Sequence, residues 1–143
     1  MSDLHIWLGV AVLAANGLAG AWGAVAWLRG EPSVAFWYML RTAQATVAAQ
    51  VVLGLLLLAR GDSSPDGLHV AYGISPLVVA LVSEGLRVAA AQREVEAAGD
   101  VDALGRPEQI LLARRVALAE MGVMTIGLLL VVTLALRAMQ SGG

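Results

Sequence analysis

The stretches VVLGLLLLA, Val51–Ala59, and IGLLLVVTLAL, Ile126–Leu136, decide the fold of this chain. Neither carries a charge, and neither alternates polar with apolar residues as a half-buried strand would. Followed outward, they become the apolar runs Val34–Leu58 and Val116–Met139. Two more runs of similar length, His5–Leu28 and Leu68–Ala91, complete the set. Each exceeds the ~20 residues that cross hydrocarbon as a helix. Lipid offers no partner for backbone N–H and C=O, so a single spanning segment must be helical. The third run carries Pro76, Ser83, Glu84 and Arg87, but most of its polar residues share one helical face, and it is read as a span too.

The breaks between the runs carry turn chemistry. Arg29-Gly30-Glu31-Pro32 is a tight turn, and 59–67 is a short polar loop rich in Gly, Asp, Ser and Pro. Residues 92–106 form a longer charged loop. Pro107 then suits the first position of a helix with Glu108 in its first turn. The fourth helix is therefore expected to begin in water and to enter the bilayer near Arg115. The first run lacks a basic n-region and is too long for a signal-peptide h-region, so it is kept as a membrane helix. The expected fold is all-α: one membrane domain over 1–143, an up-down four-helix bundle with helices at about 5–28, 34–58, 68–91 and 116–139 and a cytoplasmic loop at about 92–106.

Composition narrows the chemistry. Of 143 residues, 59% are hydrophobic, more than a soluble domain of this length can hide from water. Net charge is −2 and no basic stripe is present, so nucleic acid is not an expected partner; the bilayer is. The absence of cysteine excludes disulfides, thiolate metal sites and iron–sulfur clusters. All nine cationic residues are arginine, which excludes lysine-dependent covalent catalysis. Arginine placement also orients the chain. Arg29, Arg87, Arg93, Arg106, Arg114 and Arg115 fall on one side, Arg60 and Arg137 on the other. The positive-inside rule puts the 92–106 loop in the cytoplasm of a cell (inner) membrane protein, with both termini outside. Trp7 and Tyr72 are then expected at the outer interface, Trp27 and Phe36-Trp37-Tyr38 at the inner one.

Leu4-His5-Ile6-Trp7-Leu8-Gly9 resembles Leu68-His69-Val70-Ala71-Tyr72-Gly73, so the chain reads as two related hairpins. These are its only two histidines. His5, Gly9, Val12, Asn16, Gly20 and Gly23 make one stripe on the first helix. His69, Gly73, Pro76, Ala80, Glu84 and Arg87 make another on the third. Polar and small residues of membrane helices face the bundle interior. Both histidines are therefore expected to point inward at one outer depth, with Gly9 and Gly73 clearing space one turn below. Two imidazoles facing each other across a bundle can ligate one haem iron. The plain structural alternative is a pair of interfacial histidines that bond headgroups, water or a neighbouring helix. Zinc or copper is disfavoured, because only Asp3 and Asp66 stand near as further ligands.

A second constellation lies near the inner end. Arg41, Glu84 and Glu120 fall at one depth, with Arg87 one turn from Glu84. Charges in hydrocarbon are expected to pair, Arg41 with Glu84 or Glu120. The functional reading is a proton or quinone site; the favoured reading is a set of structural ion pairs. Gln44 joins the face of Arg41, whereas Gln50 points roughly opposite. Met121 and Met124 are expected to fill the core.

Leu4-His5, Arg41, Gly54–Leu58 and Leu68-His69 give the chain a layout similar to small four-helix membrane haem proteins: the HemJ-type protoporphyrinogen oxidases, the CopD-like proteins and the halves of haem A synthase. In HemJ-type enzymes a first-helix histidine binds haem, a role that His5 would fill, and a third-helix lysine also matters. This chain has no lysine, so the resemblance implies a haem-binding bundle and no reaction. The expected function is a b-type haem protein, with His5 and His69 as iron ligands, in electron transfer or haem handling. The alternative is a non-catalytic accessory or assembly subunit of a larger respiratory or haem-related membrane complex.

Overall fold

The computed structural model describes residues 2–61 and 67–141. They form four helices, α1 (Ser2–Leu28), α2 (Val34–Ala59), α3 (Gly67–Ala98) and α4 (Arg106–Ser141), with a short 3₁₀ turn, η1 (Val101–Ala103), before α4. Each of the four helices is long and apolar enough to cross a membrane, and the described residues contain no strand. The chain is an all-α, integral membrane four-helix bundle.

The helix ends follow from local chemistry. α1 stops at Gly30, whose φ of +66° is open to glycine at little cost. Gly30 N bonds Trp27 O at 2.9 Å and Glu31 N bonds Ala26 O at 2.9 Å, the paired bonds of a Schellman cap. Arg114 of α4 donates Nε and NH2 to Gly30 O at 3.1 and 2.7 Å, tying this turn to the last helix. Ser33, in extended conformation, caps α2 by accepting from Phe36 N at 3.3 Å.

α3 runs further than hydropathy suggests, whereas α4 begins at Arg106, where Pro107 and Glu108 marked the start of a helix in water. The expected 92–106 loop shrinks to 99–105, because Arg93–Ala98 are good helix formers and α3 stops only at Gly99, with φ +75°. The 36 residues of α4 rise about 54 Å, far beyond a hydrocarbon core of about 30 Å. Part of this hairpin therefore stands outside the bilayer.

The helices pack in the order α2–α1–α4–α3. α1 lies between α2 and α4, α3 packs mainly on α4, and the α2–α3 contact that would close the ring is slim. α1 and α3 sit diagonally. The larger core cluster joins Ala19 and Ala26 of α1, Phe36, Leu40 and Ala43 of α2, and Met121, Met124 and Leu128 of α4. The two methionines fill the core as expected. Phe36, expected in the aromatic belt, is fully buried in that cluster, while Trp7 and Tyr38 do face outward. A second cluster joins Val12, Val47, Val131 and Ala135, with Leu77 and Val79 of α3 at its edge. Apolar contact with lipid is no worse than apolar contact with protein, so van der Waals fit holds these helices together. Glycines allow the close approaches. A Cβ on Gly127 would collide with Ser83 of α3, and one on Gly23 with Thr125 and Phe36.

Candidate functional site

Two polar sites lie near opposite ends of the bundle. At the end formed by the starts of α1 and α3, the rings of His5 and His69 face each other with centroids 6.3 Å apart and planes at 57°. Parallel, diagonal helices that each carry a histidine in their first turns bring this about. Below His5, the stripe of α1 turns inward as its spacing predicts: Val12 and Asn16 are buried, and Asn16 Nδ2 satisfies itself on Val12 O at 2.8 Å.

The histidines are held differently. His69 Nδ1 lies 3.0 Å from Ala138 O, in the last turn of α4. A carbonyl only accepts, so Nδ1 carries the proton and, in the neutral ring, Nε2 carries the lone pair. His5 Nε2 lies 3.2 Å from Gln50 Nε2. His5 Nδ1 and Gln50 Oε1 are both buried without a hydrogen-bond partner. Turning the Gln50 amide over does not remove the deficit: His5 Nε2–H then bonds Oε1, but the amide N–H groups take its buried place. The pair thus retains an unmet donor and an unmet acceptor in either arrangement.

Gln50 is the site residue that sequence reasoning missed. It points away from Arg41, as the helical spacing predicts, and that direction is the one that brings it to His5. Gly54, one turn on, lies against the same ring: a Cβ there would stand 3.2 Å from His5 Cε1. Gly9 packs beneath Gln50, where a Cβ would stand 3.3 Å from its Nε2. Gly73 opens on free space, with nothing within 4 Å of where a Cβ would stand. Asp66 lies outside the described residues, which contain no group of three or more potential metal ligands.

Two imidazoles that bind one iron from opposite sides have ring centres about 6 Å apart, given metal–nitrogen bonds of about 2 Å. The 6.3 Å spacing of the two rings matches that distance. The ring orientation does not match as it stands: the nitrogen-bearing edge of His5 lies along α2, toward Gln50 and Gly54, and ligation would require it to turn.

At the other end, α2, α3 and α4 contribute a connected charged layer. Glu84 Oε1 accepts from Arg41 NH1 at 2.5 Å and from Gln44 Nε2 at 2.8 Å, and its Oε2 accepts from Arg87 Nε at 2.9 Å. Arg87 NH1 reaches Glu120 Oε1 at 2.7 Å, and its guanidinium carbon stands 5.7 Å from the Trp37 ring centroid. Of the two partners open to Arg41, Glu84 is thus the one used, while Glu120 is held by Arg87. Two arginines and two glutamates make the layer neutral. Glu120 also lines an open, mostly apolar cavity of about 570 Å³, together with Val95, Val101, Asp102, Gln109 and Leu112.

Comparison with protein-family models, with curated proteins and with solved structures finds no match to this chain.

Proposed function

We propose that this protein is a membrane b-type haem protein, with His5 and His69 as the axial ligands, acting in electron transfer or haem handling. The observation that carries this reading is the histidine pair, 6.3 Å apart, beside two buried polar atoms that find no hydrogen-bond partner among the described residues. A ligand would meet a polar deficit of this kind inside a membrane bundle. His69 would bind through Nε2, oriented by its bond to Ala138 O, as outer-shell hydrogen bonds orient metal-ligating histidines. His5 would exchange Gln50 for the iron. Gly54 and Gly73 would leave room for the flat macrocycle, which the slim seam between α2 and α3 would admit from the lipid side. The haem would supply one-electron redox chemistry; the chain would supply two strong-field ligands and a dry surround.

The arginine bias supports an orientation with the histidine end outside and the α3–α4 loop in the cytoplasm. Reporter fusions at the C-terminus and within 99–105 test this orientation, and an active cytoplasmic reporter at the C-terminus would reverse it.

Absorption spectra of protein made with ample haem, oxidised and reduced, test the cofactor. The expected result is low-spin iron with a sharp α-band on reduction. His5→Ala and His69→Ala should each give a high-spin or haem-free protein, whereas Glu84→Gln, at the far end, should keep the low-spin spectrum. A colourless protein, or a spectrum indifferent to both histidine variants, would leave the accessory-subunit reading in its place.

A further inference from the structure

The two arginines of the charged layer are used differently. Arg87 spends Nε and NH1 on two glutamates and lies near Trp37, and its side chain is 23% exposed. Arg41 spends only NH1, on Gln44 Oε1 at 2.6 Å and on Glu84 Oε1 at 2.5 Å. Its Nε and NH2 have no partner among the described residues, and its side chain is 56% exposed. Glu84 and Glu120 are only 27% and 20% exposed, so Arg41 alone of the four charges looks out of the bundle. It does so inside a membrane-spanning helix, close to the slim seam between α2 and α3.

Unsatisfied N–H groups in a lipid environment are costly, and a guanidinium more so. Depth shows what can meet them. Arg41 lies seven residues into α2, about 10 Å from the helix start. One turn nearer that start stand Trp37 and the outward-facing Tyr38, residue types that favour the headgroup level. Helical side chains lean toward the helix N-terminus, so Arg41 leans toward the headgroups on the side of the α1–α2 turn. The Nε–NH2 edge it presents is the one that grips two oxygens of a phosphate at once.

We propose that the outward edge of Arg41 binds the phosphodiester of a phospholipid in the leaflet on the side of the α1–α2 turn. Glu84 and Gln44 hold NH1 and so aim the free edge outward. Because the four charges already balance, the headgroup is held by the two N–H donors of the free edge and not by an excess of positive charge. The site does not depend on haem.

Native mass spectrometry of the full chain in mild detergent, with phosphatidylglycerol added, tests this. The native protein should retain one phospholipid per chain. Arg41→Gln should lower that retention about tenfold or more, the factor that loss of a charge-assisted hydrogen bond carries. Arg41→Lys keeps the charge facing Glu84 but lacks the two-pronged edge; it should stay folded and retain less lipid, and it decides the question if Arg41→Gln does not fold. Arg93→Gln should change nothing. Unchanged retention in both Arg41 variants would overturn the proposal. So would displacement of the lipid by millimolar inorganic phosphate, which would make this a site for a free anion.

Discussion

Glu84 receives three donors from two helices, whereas His5 and Gln50 share one contact and leave two buried atoms unmatched. Both groups sit in apolar surroundings, where an open polar group costs the most. The closed network behaves as part of the frame, because each charge finds its counter-charge inside the chain. The open pair behaves as a site, because its demand is met only by something else. What separates them is where the unmet groups lie: those of the histidine end are buried, whereas the open edge of Arg41 faces out of the bundle.

The sharpest way to break this contrast is through Arg87. Its removal leaves two glutamates short of their shared partner and should cost about 3–5 kcal/mol of stability. His5→Ala in haem-free protein should cost about 1 kcal/mol, since it deletes a bond that is already incomplete. Thermal unfolding in detergent compares the two, and equal shifts would erase the distinction between frame and site.

The glutamines sharpen it. Gln44→Leu strips a donor from a carboxylate and should cost about 1.5–3 kcal/mol. Gln50→Leu removes an orphaned oxygen along with a weak contact, and should stay within about 1 kcal/mol of the native protein. A larger loss from Gln50→Leu than from Gln44→Leu would mean that the histidine end is the better satisfied of the two.

A third comparison concerns how α3 is held. Gly127→Val presses on Ser83 and should cost about 1–3 kcal/mol by overpacking. Gly73→Val, with open space around it, should cost less than about 1 kcal/mol in the same haem-free melt. In protein loaded with haem, the Gly73 variant should instead lower haem retention. Unaltered retention would take Gly73 out of the site.

The fold was legible because a bilayer leaves a long apolar segment one choice. The inward stripe of α1 and the pairing of Arg41 with a glutamate were legible for a related reason: in lipid, a polar residue must face its own kind. Hydropathy erred where water takes over. It ended α3 at Ala91 because Gln92, Arg93, Glu94 and Glu96 follow, although polar residues form helices readily outside the membrane. Phe36 was assigned to the belt by its neighbours Trp37 and Tyr38, but one step along a helix turns a residue by about 100°, here from the interface into the core. Gln50 shows the limit of arguing within one helix. Its direction relative to Arg41 was correct, and what lay in that direction depended on how α1 packs.

The packing order has a consequence for the making of the protein. α4 is synthesised last, yet both α1 and α3 pack on it, and the close approaches at Gly23 and Gly127 involve its residues. Until α4 enters the bilayer, α3 has only its slim contact with α2 to rest on, and the α1–α2 hairpin lacks the methionines of its core. The first three helices can be threaded into the membrane, but the bundle cannot close. A ribosome stalled before Arg106 would leave behind a hairpin and a loosely tethered third helix, and cellular quality control would meet a chain with its charged layer still missing Glu120.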